Sequence, residues 1–267
     1  MFYVDEEEKI GCGEFFIKSP ETDCFYKARP SYYFGLNQEM GGLHATAKGV
    51  GLKKLYDEEQ KTWMIIRTRM HIDKLMNWAD IIRLETWCQD GYRLYCPRAV
   101  RAYDKADGSP VFQADNWWVI MDLARKRPCR PDIIKDVLPE SDPDKRHFDP
   151  AFPAFAKAED YSEEMLQDWP IEVTYYDTDY NRHVNNISYV NWIMEALPKE
   201  FLDSYMPSFF DVKWEKQCFL TDELYVRTSL KNSLESSKPE IFSKIIRRNG
   251  SDEETVFEAA TEWRKRD

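Results

Sequence analysis

Apolar and polar side chains alternate along eight long segments of the chain, four in each half. Residues 63–72 (WMIIRTRMHI), 80–88 (DIIRLETWC), 92–103 (YRLYCPRAVRAY) and 111–122 (VFQADNWWVIMD) form the first set. Residues 209–216 (FFDVKWEK), 222–231 (DELYVRTSLK), 240–248 (EIFSKIIRR) and 255–264 (TVFEAATEWR) form the second. Alternation of this kind predicts strands with one buried face and one wetter face. Ahead of each set runs an apolar stripe at helical spacing: Met40, Leu43, Ala47 and Val50 in the first half, and Ile187, Val190, Ile193, Met194 and Leu197 in the second, closed by Pro198. One helix followed by long antiparallel strands predicts a sheet wrapped around a helix, α+β in class, and the pattern occurs twice.

The two halves also resemble one another in sequence. DGSPVFQADNWWV at 107–119 matches DEETVFEAATEWR at 252–264, and the segment ending at residue 87 matches the one ending at 229, with Asp80 falling on Asp222. Similar offsets in the same order predict a duplicated unit. Residues 125–170 carry seven of the fourteen prolines, and proline lacks the amide that a central strand needs. We therefore expect an N-terminal domain over 1–127, an extended Pro-rich linker over 128–168 and a C-terminal domain over 169–267.

The 267 residues, with 15 Phe, 15 Tyr and 9 Trp, suffice for two cores. A net charge of −11 argues against a nucleic-acid partner, which needs a basic face. ARKRPCR at 124–130, with Arg125, Lys126 and Arg127, and KIIRRNG at 244–250 are the local exceptions; each reads equally well as a solvated face. The six cysteines are scattered, without C-x-x-C spacing or histidines to complete a metal site, so no metal and no cofactor is expected. No stretch approaches the ~20 apolar residues of a membrane span, and MFYVDEEEKIG is acidic where a secretory signal would be basic and then apolar. The expectation is a cytoplasmic protein without a membrane partner.

The densest chemistry lies in DTDYNRHVNNISYVNW at 177–192. On an extended segment Asp179, Asn181 and His183 would point to one side, since strand side chains repeat with period two. Asn185 or Asn186 can cap the helix that follows, leaving the amides of Val184, Asn185 and Asn186 as candidate oxyanion donors. An imidazole can take a proton from water, a carboxylate can fix its tautomer, and an amide can orient water or substrate. A hydrolytic site and a simple Asn/Asp-rich helix cap with a solvated histidine are both consistent with the spacing. His44, His71 and His147 lack comparable neighbours and read as structural or surface residues. GLNQEMGGLH at 35–44, taken as the matching stretch of the first half, has Asn37 but no D-x-N-x-H, so one site per chain is expected.

The run DYNRHVNN with the following tyrosine closely resembles the D-x-N-x-H-V-N-N-x-x-Y signature of the acyl-acyl-carrier-protein thioesterases, which hydrolyse the thioester that ends fatty-acid synthesis. WMIIRTRMHI, WADIIRLETW and ADNWWVIMDLARKRPCRPD resemble first-half signatures of that family, and the likeness covers roughly residues 25–265. It implies a double hotdog fold, an acyl-selecting first half, and Asp179, Asn181 and His183 as the catalytic Asp, Asn and His. The family places a further carboxylate just before a cysteine; here that position is Gln217, followed by Cys218. Gln217 orients water but accepts no proton, so His183 is preferred as general base, assisted by Asp179. Glu215, taken to share a strand face with Gln217, is the alternative base and Cys218 the alternative nucleophile.

The implied partner is acyl carrier protein with its acylated phosphopantetheine arm, which is acidic and would meet Arg125, Lys126 and Arg127. A coenzyme A thioesterase on the same fold and a non-catalytic acyl-binding module are the rival readings. The chain could be a monomer or a homodimer.

Overall fold

All eight alternating segments are strands in a computed structural model, which describes residues 1–138, 140–141, 153–162 and 164–266. The chain divides into two compact units, Met1–Pro153 and Ala154–Asp267. In unit 1, β1 (Phe2–Asp5), β2 (Ile10–Phe16), β3 (Lys61–Ile72), β4 (Ile81–Cys88), β5 (Cys96–Asp104) and β6 (Pro110–Asp122) form an antiparallel sheet in the order β1-β2-β4-β5-β6-β3. A two-residue strand, β7 (Arg127–Pro128), folds back on the end of β6. Helix α1 (Pro30–Ala47) packs on β2, β4 and β5, and α2 (Leu52–Glu59) leads into β3.

Unit 2 repeats the plan. After β8 (Glu164–Met165) and β9 (Trp169–Ile171) come α3 (Asn186–Glu195), α4 (Lys199–Ser204), β10 (Tyr205–Trp214), β11 (Glu223–Leu230), β12 (Glu240–Asn249) and β13 (Asp252–Lys265). The long strands are antiparallel in the order β10-β13-β12-β11, and β8 and β9 both pair with β11.

Three expectations need correction. Helix α1 starts at Pro30, well before the apolar stripe; Pro is well suited to a first helical position, where no donor is needed. Its buried face includes Tyr33, Asn37, Met40, Gly41 and His44, whereas Ala47 is exposed. Polar residues face inward because the sheet supplies partners: Asn37 and Asn116 exchange side-chain amide bonds of 2.8 and 2.9 Å, Thr68 donates to Asn116 at 2.7 Å, and Arg98 reaches His44 Nδ1 at 3.1 Å. Second, β5 begins at Cys96, not at residue 92, because Tyr92 and Tyr95 pair across a tight turn. Third, the hairpin β1–β2 was not expected. Its Gly11 and Gly13 weaken a strand reading, yet a Cβ there would meet the Phe2 ring at 3.0 Å and Met40 Sδ at 2.9 Å, so close packing requires them.

The division between units falls inside the Pro-rich segment. Its described parts are not a plain strap: Ile134 and Leu138 are buried against Ala45, Cys88 and Ile120, and Tyr161 stacks at a tilt on Phe242, centroids 5.3 Å apart. Burying an isoleucine fully is worth roughly 1.5–3 kcal/mol, so these residues belong to the cores. His147 lies outside the described residues.

Candidate active site

Residues 178–184 are a closed turn, not an extended segment. Thr178 and Val184 bridge, Asp179 N–H donates to His183 O at 2.8 Å, and Arg182 N–H donates to Asp179 O at 2.9 Å. The Asp179 carboxylate Oδ1 accepts from the amides of Asn181 (2.8 Å) and His183 (3.4 Å). Arg182 at the apex has φ 60°, a left-handed conformation uncommon for a non-glycine residue. A short 3-10 turn, Tyr175–Asp177, sealed by reciprocal Thr174–Asp177 contacts, leads in. Asp179 therefore holds the turn; among the described residues it does not bond the His183 ring, whose edge instead meets Phe219 at 5.1 Å between centroids. The segment is a turn, so strand alternation does not set where the three side chains point.

Asn185 is the helix cap, its Oδ1 accepting from Ile187 N–H at 2.9 Å. The expectation that the Val184 and Asn185 amides await an oxyanion is corrected: Val184 N–H donates to Cys218 O at 2.8 Å and Asn185 N–H to Asp177 O at 2.7 Å. Both are spent on fixing the turn, because a buried amide must find an acceptor.

The same Val184–Cys218 bond brings the 215–219 segment to the turn. Strand β10 ends at Trp214, so Glu215 and Gln217 do not share a strand face as expected. Glu215 is exposed and ion-paired with Lys213, which corrects its candidacy as the base beside Gln217. Gln217 is exposed and its main-chain carbonyl accepts from Arg247. Cys218 is fully buried; burial pushes its thiol pKa up, partly offset by Tyr189 and Arg247. Burial disfavours the thiolate that a covalent route at Cys218 would need. What Cys218 offers is backbone: its carbonyl takes Val184 N–H, and its own N–H donates to Tyr189 Oη at 3.1 Å.

A second corner of this construction precedes α1. Thr22 and Ala28 bridge as Thr178 and Val184 do, and Asp23 Oδ1 accepts from Phe25 and Lys27 amides at 2.9 and 3.0 Å. Tyr26 has φ 61° at the place of Arg182. Ala28 N–H donates to Met76 O, Met76 N–H to Tyr33 Oη, and Asn77 N–H to Asp80, as Val184, Cys218 and Phe219 do to Cys218, Tyr189 and Asp222. The match to residues 178–185 is thus residues 22–29, not 35–44. Where unit 2 has Asn181, His183, Gln217 and Cys218, unit 1 has Phe25, Lys27, Leu75 and Met76. A repeated Thr-Asp with a tyrosine ten residues beyond the aspartate was the sequence signal for it.

Large apolar side chains of the two segments that meet here are exposed: Tyr175, Tyr176 and Tyr180 at 75, 94 and 70%, and Phe219 and Leu220 at 43 and 47%. Arg125, Lys126 and Arg127 are exposed at the β6–β7 turn of unit 1, where Asp122 accepts the Arg125 amide. The second basic stretch is largely neutralised: Arg247 pairs with Asp222 and Glu254, and Arg248 with Glu223 and Glu253. His44 is buried and, by desolvation first and the Arg98 and Lys48 charges second, is pushed down to about 3. His71 is on β3. No group of three or more metal-ligating side chains occurs among the described residues.

Two units, each an antiparallel sheet with a helix packed on it, are the double hotdog architecture. The overall fold matches an acyl-ACP thioesterase from Bacteroides thetaiotaomicron (TM-score 0.75, 21% identity, 97% of this chain and 100% of that one). It also matches a putative oleoyl thioesterase from Lactobacillus plantarum (TM-score 0.80, 18% identity, 96% of both chains). Family models for the acyl-ACP thioesterase N-terminal domain and C-terminal domain match residues 13–140 and 160–265. The chain belongs to the acyl-ACP thioesterase family. Among curated relatives, oleoyl-acyl carrier protein thioesterase 2 of Arabidopsis thaliana is 28% identical over 71% of this chain and 52% of its own length. The Arabidopsis thioesterase 1 is 24% identical over 95% of this chain and 75% of its own length. The chain thus spans about half of the first relative and three quarters of the second.

Proposed function

We propose that the protein hydrolyses the thioester of fatty acyl-acyl-carrier-protein, releasing free fatty acid. The observation that carries this reading is the corner at 178–184, which bears an imidazole and a side-chain amide on a turn held by Asp179, within the segment matched by the family's C-terminal domain. His183 acts as general base: it takes a proton from water as the water oxygen attacks the thioester carbonyl carbon. The tetrahedral intermediate collapses, the carbon–sulfur bond breaks, and the imidazolium returns the proton to the departing thiolate. Asn181 and Gln217 orient water and the carbonyl through their amides, the remaining side-chain donors now that two turn amides are committed. Asp179 acts by holding the turn.

Unit 1 takes the acyl chain, and Arg125, Lys126 and Arg127 meet the acidic carrier. The protein works in the cytoplasm, as monomer or homodimer, without membrane or nucleic-acid partners; the plant relatives are described as chloroplastic. No helix among the described residues is long and apolar enough to cross a membrane.

The test is a panel of acyl groups presented on carrier protein and on coenzyme A, with free fatty acid measured. Release from the carrier at a higher kcat/KM than from coenzyme A supports the reading. Faster release from coenzyme A favours the coenzyme A thioesterase, and binding without release favours the acyl-binding module.

A further inference from the structure

The two corners share a backbone scaffold, so unit 1 serves as an internal control for unit 2. The turn aspartate, the tyrosine that accepts from the 76/218 amide, and the aspartate that accepts from the 77/219 amide occur in both. They hold a corner whether or not it has chemistry.

Arg247 belongs to the unit 2 corner only. From β12 it donates through Nη2 to the main-chain oxygen of Gln217 and contacts Cys218 Sγ at 3.6 Å. Its Nε lies 3.0 Å from Asp222 Oδ2 and its Nη1 3.1 Å from Glu254 Oε2, with the side chain only 15% exposed. Glu254 accepts from Nη1 and, together with the ion-paired Asp222, compensates the buried charge; Nε makes the ion-pair contact without a hydrogen bond, and Nη2 is the nitrogen that meets the 217–218 segment. In unit 1, Asp80 accepts from Asn77 instead, Met76 is held by Tyr33 and Ala28, and among the described residues no arginine grips residues 75–77. Leu75, at the place of Gln217, is buried and has no functional group to aim.

We propose that Arg247 is a positioning residue for the hydrolytic site. It fixes Gln217 by its carbonyl, and through Cys218 O and Val184 N–H it fixes the turn that carries His183. This inference rests on the thioesterase reading. Lysine at 247 keeps the charge beside Asp222 and Glu254 but carries its three donors on one atom, so it does not reproduce the spread by which separate guanidinium nitrogens meet Asp222, Glu254 and the Gln217 carbonyl. Charge compensation and positioning are therefore separable.

Steady-state hydrolysis and thermal melting are compared for wild type, Arg247→Lys, Arg247→Ala and Arg227→Ala. Arg227 is a matched control, an equally networked arginine on β11 held by Asp168 and Glu253. Arg247→Lys is expected to melt close to wild type, with kcat lowered about tenfold and KM within about twofold, because an error in placement near the reacting atoms acts on kcat. Millimolar ethylguanidinium should restore part of the kcat of Arg247→Ala and none of any loss in Arg227→Ala. Wild-type kcat in folded Arg247→Lys overturns the proposal, as does an Arg247→Ala deficit that equals that of Arg227→Ala and resists rescue. If Arg247→Lys melts below the assay temperature, Arg247→Gln with Glu254→Gln, which removes one of the two abandoned carboxylates and leaves Asp222 to the Phe219 amide, is judged by the same kcat criterion. The thioesterase reading fails differently: wild type itself would then release no fatty acid.

Discussion

The corner at 22–28 and the corner at 178–184 are the same piece of backbone carrying different side chains. Each has a bridged turn, an aspartate gripping two amides, a left-handed apex and a tyrosine five residues past the closing residue. Lys27 extends to Asn77 Oδ1 at 2.8 Å, whereas His183 lies edge-on to Phe219. The difference teaches which parts of the catalytic signature are architecture. Asp179 makes the turn contacts that Asp23 makes, so its first task is to shape the turn; Asn181 and His183, replaced by Phe25 and Lys27, are what the proposed chemistry adds.

The sharpest way to break this comparison is to remove the head group at each corner. His183→Ala should lower kcat/KM for carrier-bound thioester by about 10²–10⁴-fold, the usual worth of a general base, while Lys27→Ala changes it less than twofold. Comparable losses at both corners would mean that unit 1 takes part in chemistry. Removing the aspartates should separate stability from activity: Asp23→Ala and Asp179→Ala each free two turn amides, and each should cost about 1–2 kcal/mol in denaturant unfolding. Only Asp179→Ala should also lower kcat, by more than its stability loss explains.

Most of the fold was legible, and the reasons differ by element. The eight long strands alternate over eight or more residues, and such patterns tolerate few other readings. Helix α1 was misplaced because its buried face includes Asn37 and His44, which look like solvent residues until Asn116 and Arg98 are known to face them. The 178–184 turn was read as extended because D-x-N-x-H has the period of a strand; only the Thr178–Val184 bridge and the φ of Arg182 reveal the turn. Arg247 was invisible as a site residue, since its contacts come from sequence positions about 30 apart and KIIRRNG reads as a basic surface stretch. The unit 1 corner was hidden because Phe25 and Lys27 stand where unit 2 has Asn181 and His183.

The two units also differ in how a histidine is treated. His44, buried in unit 1 beside Arg98, is held down to about 3, whereas an unfolded imidazole titrates near about 6.5. Between those values the unfolded chain binds the extra proton, so stability falls as the pH drops below about 6.5 and the loss levels off below about 3. His44→Gln should flatten that part of the pH–stability curve relative to wild type, measured by denaturant midpoints from pH 7 to pH 4. A variant as acid-sensitive as wild type would show that His44 is not the group responsible.

The smallest expected effect bears on the nucleophile. Cys218→Ala keeps both backbone contacts that join Tyr189, Cys218 and Val184, and gives up only the sulfur that Arg247 touches at 3.6 Å. Hydrolysis should stay within about threefold of wild type, since a group that is not attacked or deprotonated costs little when truncated. Tyr189→Phe should do more harm, because it strips the acceptor from a buried amide, at about 1–3 kcal/mol; Tyr33→Phe should cost the same stability with no loss of kcat. In native protein the exposed Cys24 should react with a thiol reagent first and Cys218 only on unfolding, since it is buried and burial disfavours its thiolate. A dead Cys218→Ala that still folds would restore the covalent route and end the reading of Cys218 as a backbone bridge between the turn and its support.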